Sequence, residues 1–166
     1  MNKLIKWFSE VPAETPGAVL LVRLMAGGVF FSEGILKFVY TNQGVGRFTK
    51  LGFPSPDILA TGIGCLEIVG GLLLIFGLAT RFISLVFIGE MIVAILSTKI
   101  SLYLGTSPLP LPPAPPTIGA WAVLHETRSD YAQIMCSAFL LFVGAGPLSL
   151  DWNWFGDKKV SAGKRS

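Results

Sequence analysis

Charge is scarce in this chain of 166 residues: Asp, Glu, Lys and Arg together make up 14%, against roughly 25% in an average soluble domain. A small soluble domain needs polar residues to cover its large surface, so a soluble reading is excluded, and disorder with it. The 2 cysteines exclude a disulfide scaffold and a multi-cysteine zinc site. The 1 histidine, His125, cannot build a multi-histidine metal or haem centre, so neither haem nor metal is expected. No G-x-G-x-x-G, Walker A, nucleophile elbow or H-E-x-x-H sequence occurs.

What the chain does contain is apolar. Hydrophobic residues make up 52%, with a further 19 Gly, and the mean hydropathy is +0.65. Four runs are long enough to cross a hydrocarbon core of about 30 Å: residues 17–40, 57–78, 80–99 and 130–150. They are too long for barrel strands and lack period-2 alternation. The expectation is therefore an all-α integral membrane four-helix bundle, with a domain over residues 17–151. Residues 1–16 and 152–166 would flank it as a cytoplasmic N-terminal segment and a cytoplasmic tail. The first run is too long for a signal-peptide core, and no small-residue cleavage site follows it, so it is expected to remain as a helix. Residues 41–56 read as a polar loop. In the third connection, TSPLPLPPAPP is too rich in proline to be helical throughout. The following TIGAWAVLHETRSDY suits a short interfacial helix, with Ser129 or Asp130 as N-cap of the fourth span.

The net charge of +3 does not point to nucleic acid, because Lys and Arg gather at the ends of apolar runs, where lipid headgroups account for them. Lys3, Lys6, Arg81, Lys158, Lys159, Lys164 and Arg165 fall on one side, and Arg47, Lys50, Lys99 and Arg128 on the other. That asymmetry predicts a multi-pass protein of a prokaryotic inner membrane with both termini cytoplasmic.

Some charges lie inside the apolar runs. Arg23, Glu33 and Lys37 fall in the first, Glu67 in the second and Glu90 in the third. Each costs roughly 2.5–3.5 kcal/mol near a helix centre on insertion scales, so these side chains are expected to face inward and find partners. Arg23, Gly27, Phe30, Glu33, Gly34 and Lys37 share one helical face, and Glu33 and Lys37 are an i,i+4 pair. Gly64, Glu67 and Gly71 share another face, with Gly70 beside them, and Gln133, Ser137 and Gly144 share one on the fourth span. Counted at 1.5 Å per residue, Glu33, Glu67 and Glu90 lie about 10–15 Å below the outer surface. They predict an ionisable pocket in which the three carboxyls are catalytic candidates. Arg23, Lys37, Arg81, Glu126 and Arg128 are ligand-binding candidates, and His125 is a proton relay in a lid. The bland alternative is that the same groups only tie the helices together, with Arg23 snorkelling to the cytoplasmic face. Cys65 and Cys136 read as small apolar packing rather than as a dithiol.

RLMAGGVFFSEGILK, GCLEIVGGLLLIFGLATR and WAVLHETRSDYAQIMCSAFLLFVGAGPLSLD resemble the DoxX family of small four-helix bacterial and archaeal membrane proteins. The combination of G-x-x-E-x-x-G-G with G-x-x-T-R carries most of the likeness. Arg23, Glu33, Lys37, Glu67, Gly70, Gly71, Thr80 and Arg81 match positions of the family pattern. The resemblance implies a membrane bundle and redox work, some relatives being the membrane subunit of a thiosulfate:quinone oxidoreductase. A quinone-dependent oxidoreductase subunit with a soluble redox partner is the expected function. A small-solute carrier acting as a homo-oligomer, and a scaffold docking a soluble enzyme on its proline-rich loop, are the alternatives. The resemblance assigns no role to the proline-rich insert.

Overall fold

The structure, a computed structural model, describes residues 7–8, 12 and 14–155. All regular structure among the described residues is helical. The four long helices are α1 (Val19–Val39), α3 (Pro56–Phe76), α4 (Thr80–Thr98) and α5 (Ala120–Val143). Short helices α2 (Val45–Lys50) and α6 (Leu150–Phe155) lie at the two ends, and a 3₁₀ turn, Ile100–Tyr103, extends α4.

Glycine decides how closely the first pair of helices packs. Gly27 and Gly34 of α1 oppose Gly71 and Gly64 of antiparallel α3. A Cβ on Gly27 would sit 2.6 Å from the Gly71 carbonyl oxygen, and one on Gly34 would sit 2.8 Å from that of Gly64. Such a seam lets two backbones touch, which is how helices associate where burial of apolar surface from water supplies no drive. Gly70, on the adjacent edge of α3, makes room for the Phe87 ring of α4. Phe87 stacks on Phe30 with centroids 3.6 Å apart. Helix α5 closes the bundle, packing chiefly on α4 and touching α1 where Cys136 Sγ meets Met25 Sδ at 3.3 Å.

Outward, the bundle is apolar. Leu21, Ile58, Val69, Phe76, Leu96 and Phe142 are exposed, and α1, α3 and the segment Thr80–Tyr103 are long and apolar enough to cross a membrane. Backbone polarity is satisfied within each helix, as a lipid-facing element requires.

The fourth expected span, 130–150, corresponds to helix α5, which is not among the helices apolar enough to cross a membrane and differs from the expected range. The helix begins ten residues earlier, at Ala120, so LHETRSDY is not a separate interfacial helix but the first turns of α5. Neither Ser129 nor Asp130 caps it. It stops at Val143 because Gly144 (φ 88°) and Gly146 (φ 76°) take left-handed backbone, and Pro147 follows. The loop 41–55 likewise contains helix α2.

Candidate functional site

At one end of the bundle, charge is consumed by the backbone. Arg23 is 1% exposed. Its Nη1 donates to Ala145 O at 2.8 Å, and its Nη2 donates to Leu148 O at 2.6 Å and to Ile75 O at 3.4 Å. It thereby supplies donors to helix-end and loop carbonyls that have no partner of their own. Gly77 (φ 69°) ends α3 in a Schellman turn, with Leu78 N–H donating to Leu73 O and Gly77 N–H to Leu74 O. A Cβ at Gly77 would lie 2.1 Å from Arg23 Nη1. Asp151 reaches back from α6 to the start of α4, accepting from Ala79 N–H at 2.9 Å and Thr80 N–H at 3.0 Å. Negative charge at a helix N-terminus is where the helix dipole favours it. Arg81 donates to the carbonyls of Trp7 and Phe142 and lies over the Trp7 ring. Arg23 and Arg81, expected to line the pocket, are thus drawn into this latch instead.

Further along the bundle, charge is paired with charge. Glu67 projects from α3 between the seam glycines and is 2% exposed. Lys37 Nζ meets its Oε2 at 2.5 Å. The Glu90 carboxyl of α4 lies within hydrogen-bonding range of Glu67 and in the field of Lys37. Glu90 Oε2 is buried without a hydrogen-bond partner, as are Gln133 Oε1 and Ser137 Oγ of α5. Contacts between Lys99 and Glu126 and between Arg81 and Phe142 set the antiparallel register of α4 and α5. That register puts Gln133 at the height of Glu90. Three helices therefore bring Lys37, Glu67 and Glu90 toward one another, and the fourth brings Gln133 Oε1 to the same level, with Ser137 about one turn away.

The expected Glu33–Lys37 pair does not form. The glycine seam brings α3 close enough for Lys37 to reach Glu67, and a buried carboxylate gains far more from that partner than exposed Glu33 would. Glu33 lies instead on the exposed side of α1, in the field of Asp130 on α5. Cys65 is exposed, Cys136 half-buried, and both are free thiols.

His125, Glu126 and Arg128 form a third group, one turn beyond Asp130. Glu126 lies 3.9 Å from both Lys99 and Arg128, and Arg128 donates to the His125 carbonyl. His125 is exposed and does not reach the carboxyl cluster. Glu126 instead borders a separate pocket of about 370 Å³ beneath the proline-rich segment.

The DoxX family model matches residues 18–100, half of the chain. The chain belongs to the DoxX family. It is 36% identical over 151 residues to "Uncharacterized membrane protein Rv3486" of Mycobacterium tuberculosis (strain H37Rv), covering 87% of this chain and 86% of that protein. It is 31% identical over 140 residues to "Putative oxidoreductase CatD" of Bacillus subtilis (strain 168), covering 84% of this chain and 89% of that protein. No solved structure matches. The DoxX motif now has a physical reading. In G-x-x-E-x-x-G-G, Gly64 and Gly71 make the seam, Gly70 admits Phe87, and Glu67 holds Lys37. In G-x-x-T-R, Gly77 ends α3, Thr80 opens α4, and Arg81 anchors the latch.

Asp151 and Asp130 were not among the expected site residues. The role of Asp151 depends on a backbone 71 residues away, which no local spacing reveals. Asp130 was expected only as a candidate N-cap, whereas it lies within α5, in the field of Lys99, Arg47 and Glu33.

Proposed function

We propose that this DoxX protein is the membrane subunit of a quinone-linked oxidoreductase, with Glu67 and Glu90 as its proton-carrying pair. The observation that carries the reading is the meeting of ionisable groups from three helices, Lys37 paired with buried Glu67 and Glu90 in the field of both, with Glu90 Oε2 and, at its height, Gln133 Oε1 buried and unpartnered. Buried polar atoms left unpaired are costly, and at this site a substrate or water would satisfy them. In this reading Glu90 carries the proton, beside Glu67, whose charge the Lys37 ammonium favours. Such a group can pass a proton to a neighbouring oxygen without exposing a bare charge to the bilayer.

The substrate in this reading is a quinone, drawn from the lipid phase. Reduction to the quinol takes two electrons, from a soluble redox partner, and two protons. Glu90 hands one proton to a quinone oxygen while Glu67, held by Lys37, steadies it; water supplies the second proton to the other oxygen and reprotonates Glu90. The printed name of the Bacillus subtilis relative supports redox work in general.

The same proposal takes residues 17–151 as the functional domain and puts the protein in a prokaryotic inner membrane with both termini cytoplasmic, on the Lys and Arg asymmetry. Glu33 and His125, exposed in the structure, have no role in the proton step, whereas Arg23 and Arg81 hold the latch.

The test is quinone binding and turnover in lipid nanodiscs with the native redox partner. Saturable binding is expected. Glu90→Gln is expected to leave quinone affinity within about twofold and to lower turnover about 100-fold. Glu67→Gln is expected to lower turnover and, by stranding Lys37, stability as well. Absence of saturable quinone binding, or full turnover in Glu90→Gln, overturns the reading.

A further inference from the structure

A second site lies beyond the carboxyl pair and is independent of it. Where α1 and α4 emerge, helix α2 and the proline-rich segment enclose the pocket of about 370 Å³. That volume is at the low end of ligand clefts, roughly 300–1,000 Å³, enough for one small polar group and too little for a peptide or a nucleic acid strand. One wall is cationic and amide-bearing: Arg47, Lys50, Lys99, Asn42 and Gln43. The carboxylate in the lining, Glu126, is already shared between Lys99 and Arg128. Arg47 and Lys50 make no salt bridge among the described residues, Arg47 lying only in the longer-range field of Asp130. The rest of the lining is mostly apolar, with Leu102, Leu109 and Leu111 and the prolines Pro110, Pro112 and Pro113. Prolines carry no N–H, so this part of the lining offers an anion few donors and an alkyl stem a surface.

A ring of exposed aromatic residues indicates the height of this pocket. Tyr40 at the end of α1, Tyr103 at the end of the α4 extension and Trp121 at the start of α5 are all exposed at this end of the bundle. Tyr and Trp are the residues that settle at headgroup level. The pocket therefore opens where phosphates lie.

We propose that this pocket binds a phosphate ester at the membrane surface. Arg47 and Lys50 grip the phosphate, as a guanidinium fork and a point charge do. The leucine and proline wall receives the carbons attached to it. An anionic phospholipid headgroup meets this description, and so does a soluble phosphate ester arriving from water.

The experiment uses the full chain in nanodiscs of phosphatidylcholine with phosphatidylglycerol, read by native mass spectrometry for retained lipid. Glycerol phosphate and inorganic phosphate are added as competitors. Retention of one phosphatidylglycerol that resists both competitors identifies a lipid headgroup, and displacement by glycerol phosphate identifies a soluble ester. Either result supports the site when Arg47→Gln/Lys50→Gln lowers occupancy about 30-fold and the charge-keeping Arg47→Lys/Lys50→Arg does not. Should the double variant misfold, the single exposed change Lys50→Gln is expected to cost about fivefold. Unchanged retention in the charge-removing variants, or no binding of any of these phosphates by the wild type, overturns the proposal and leaves the quinone reading untouched.

Discussion

The two ends of the bundle spend their buried charges differently. In the latch, the Arg23 guanidinium has backbone carbonyls for partners, and Asp151 accepts from the backbone amides that open α4. At the carboxyl pair, Lys37 and Glu67 satisfy each other, yet the buried oxygens of Glu90 and Gln133 have no partner. Both places would cost several kcal/mol if their charges were left alone. A buried charge in an apolar helix is therefore not by itself the sign of a site. The distinguishing feature is the kind of partner: backbone carbonyls and amides take up the latch charges, whereas at the carboxyl pair charge meets charge. Buried atoms without a hydrogen-bond partner occur in both, such as Arg23 Nε and Thr80 Oγ1 in the latch and Glu90 Oε2 at the pair.

Substitutions can break or sharpen that contrast. The largest effect is expected in the latch. Arg23→Leu strands the carbonyls of Ala145, Leu148 and Ile75 and should cost about 3–5 kcal/mol, read as a loss of thermal stability in detergent. A near-neutral result would mean that Arg23 is a spectator and that the contrast is false. Next comes the seam that holds both regions in register. Gly71→Ala places a Cβ 2.7 Å from Gly27 O and should cost about 1–3 kcal/mol by overpacking. Gly62→Ala, with nothing within 4 Å, should gain up to about 1 kcal/mol from helix propensity. Equal effects at the two positions would deny the seam its special role. The smallest effect is expected at Glu33, which is exposed and outside the cluster. Glu33→Gln should change stability by no more than about 0.5 kcal/mol, and a large loss would put Glu33 back among the buried groups.

Much of this was legible in advance. Spacing alone put Gly64, Glu67 and Gly71 on one face, and depth counting put Glu33, Glu67 and Glu90 at one height, of which Glu33 faces outward. Glu90 lies in the field of Glu67 and Lys37. The choice of partner for Lys37 was not legible, because Glu33 and Glu67 compete for it and local helical spacing favours Glu33. The approach of α3 along the glycine seam reverses that preference. Arg23 was misplaced for a related reason: its acceptors come from residues 75, 145 and 148, brought to it by a chain reversal that periodicity does not encode. The fourth span was shifted because polar residues in LHETRSDY break the hydropathy run but not the helix. The end of that span depends on left-handed glycines at 144 and 146.

Composition and hydropathy by themselves determined that this is a helical membrane protein with carboxyls buried in its spans, because apolar length and the cost of exposed backbone in lipid leave few alternatives. The tertiary structure alone decided which charges are spent and which remain available. Pairing depends on which backbones come within a few ångströms, and that is set by helix–helix contact among residues far apart in the chain.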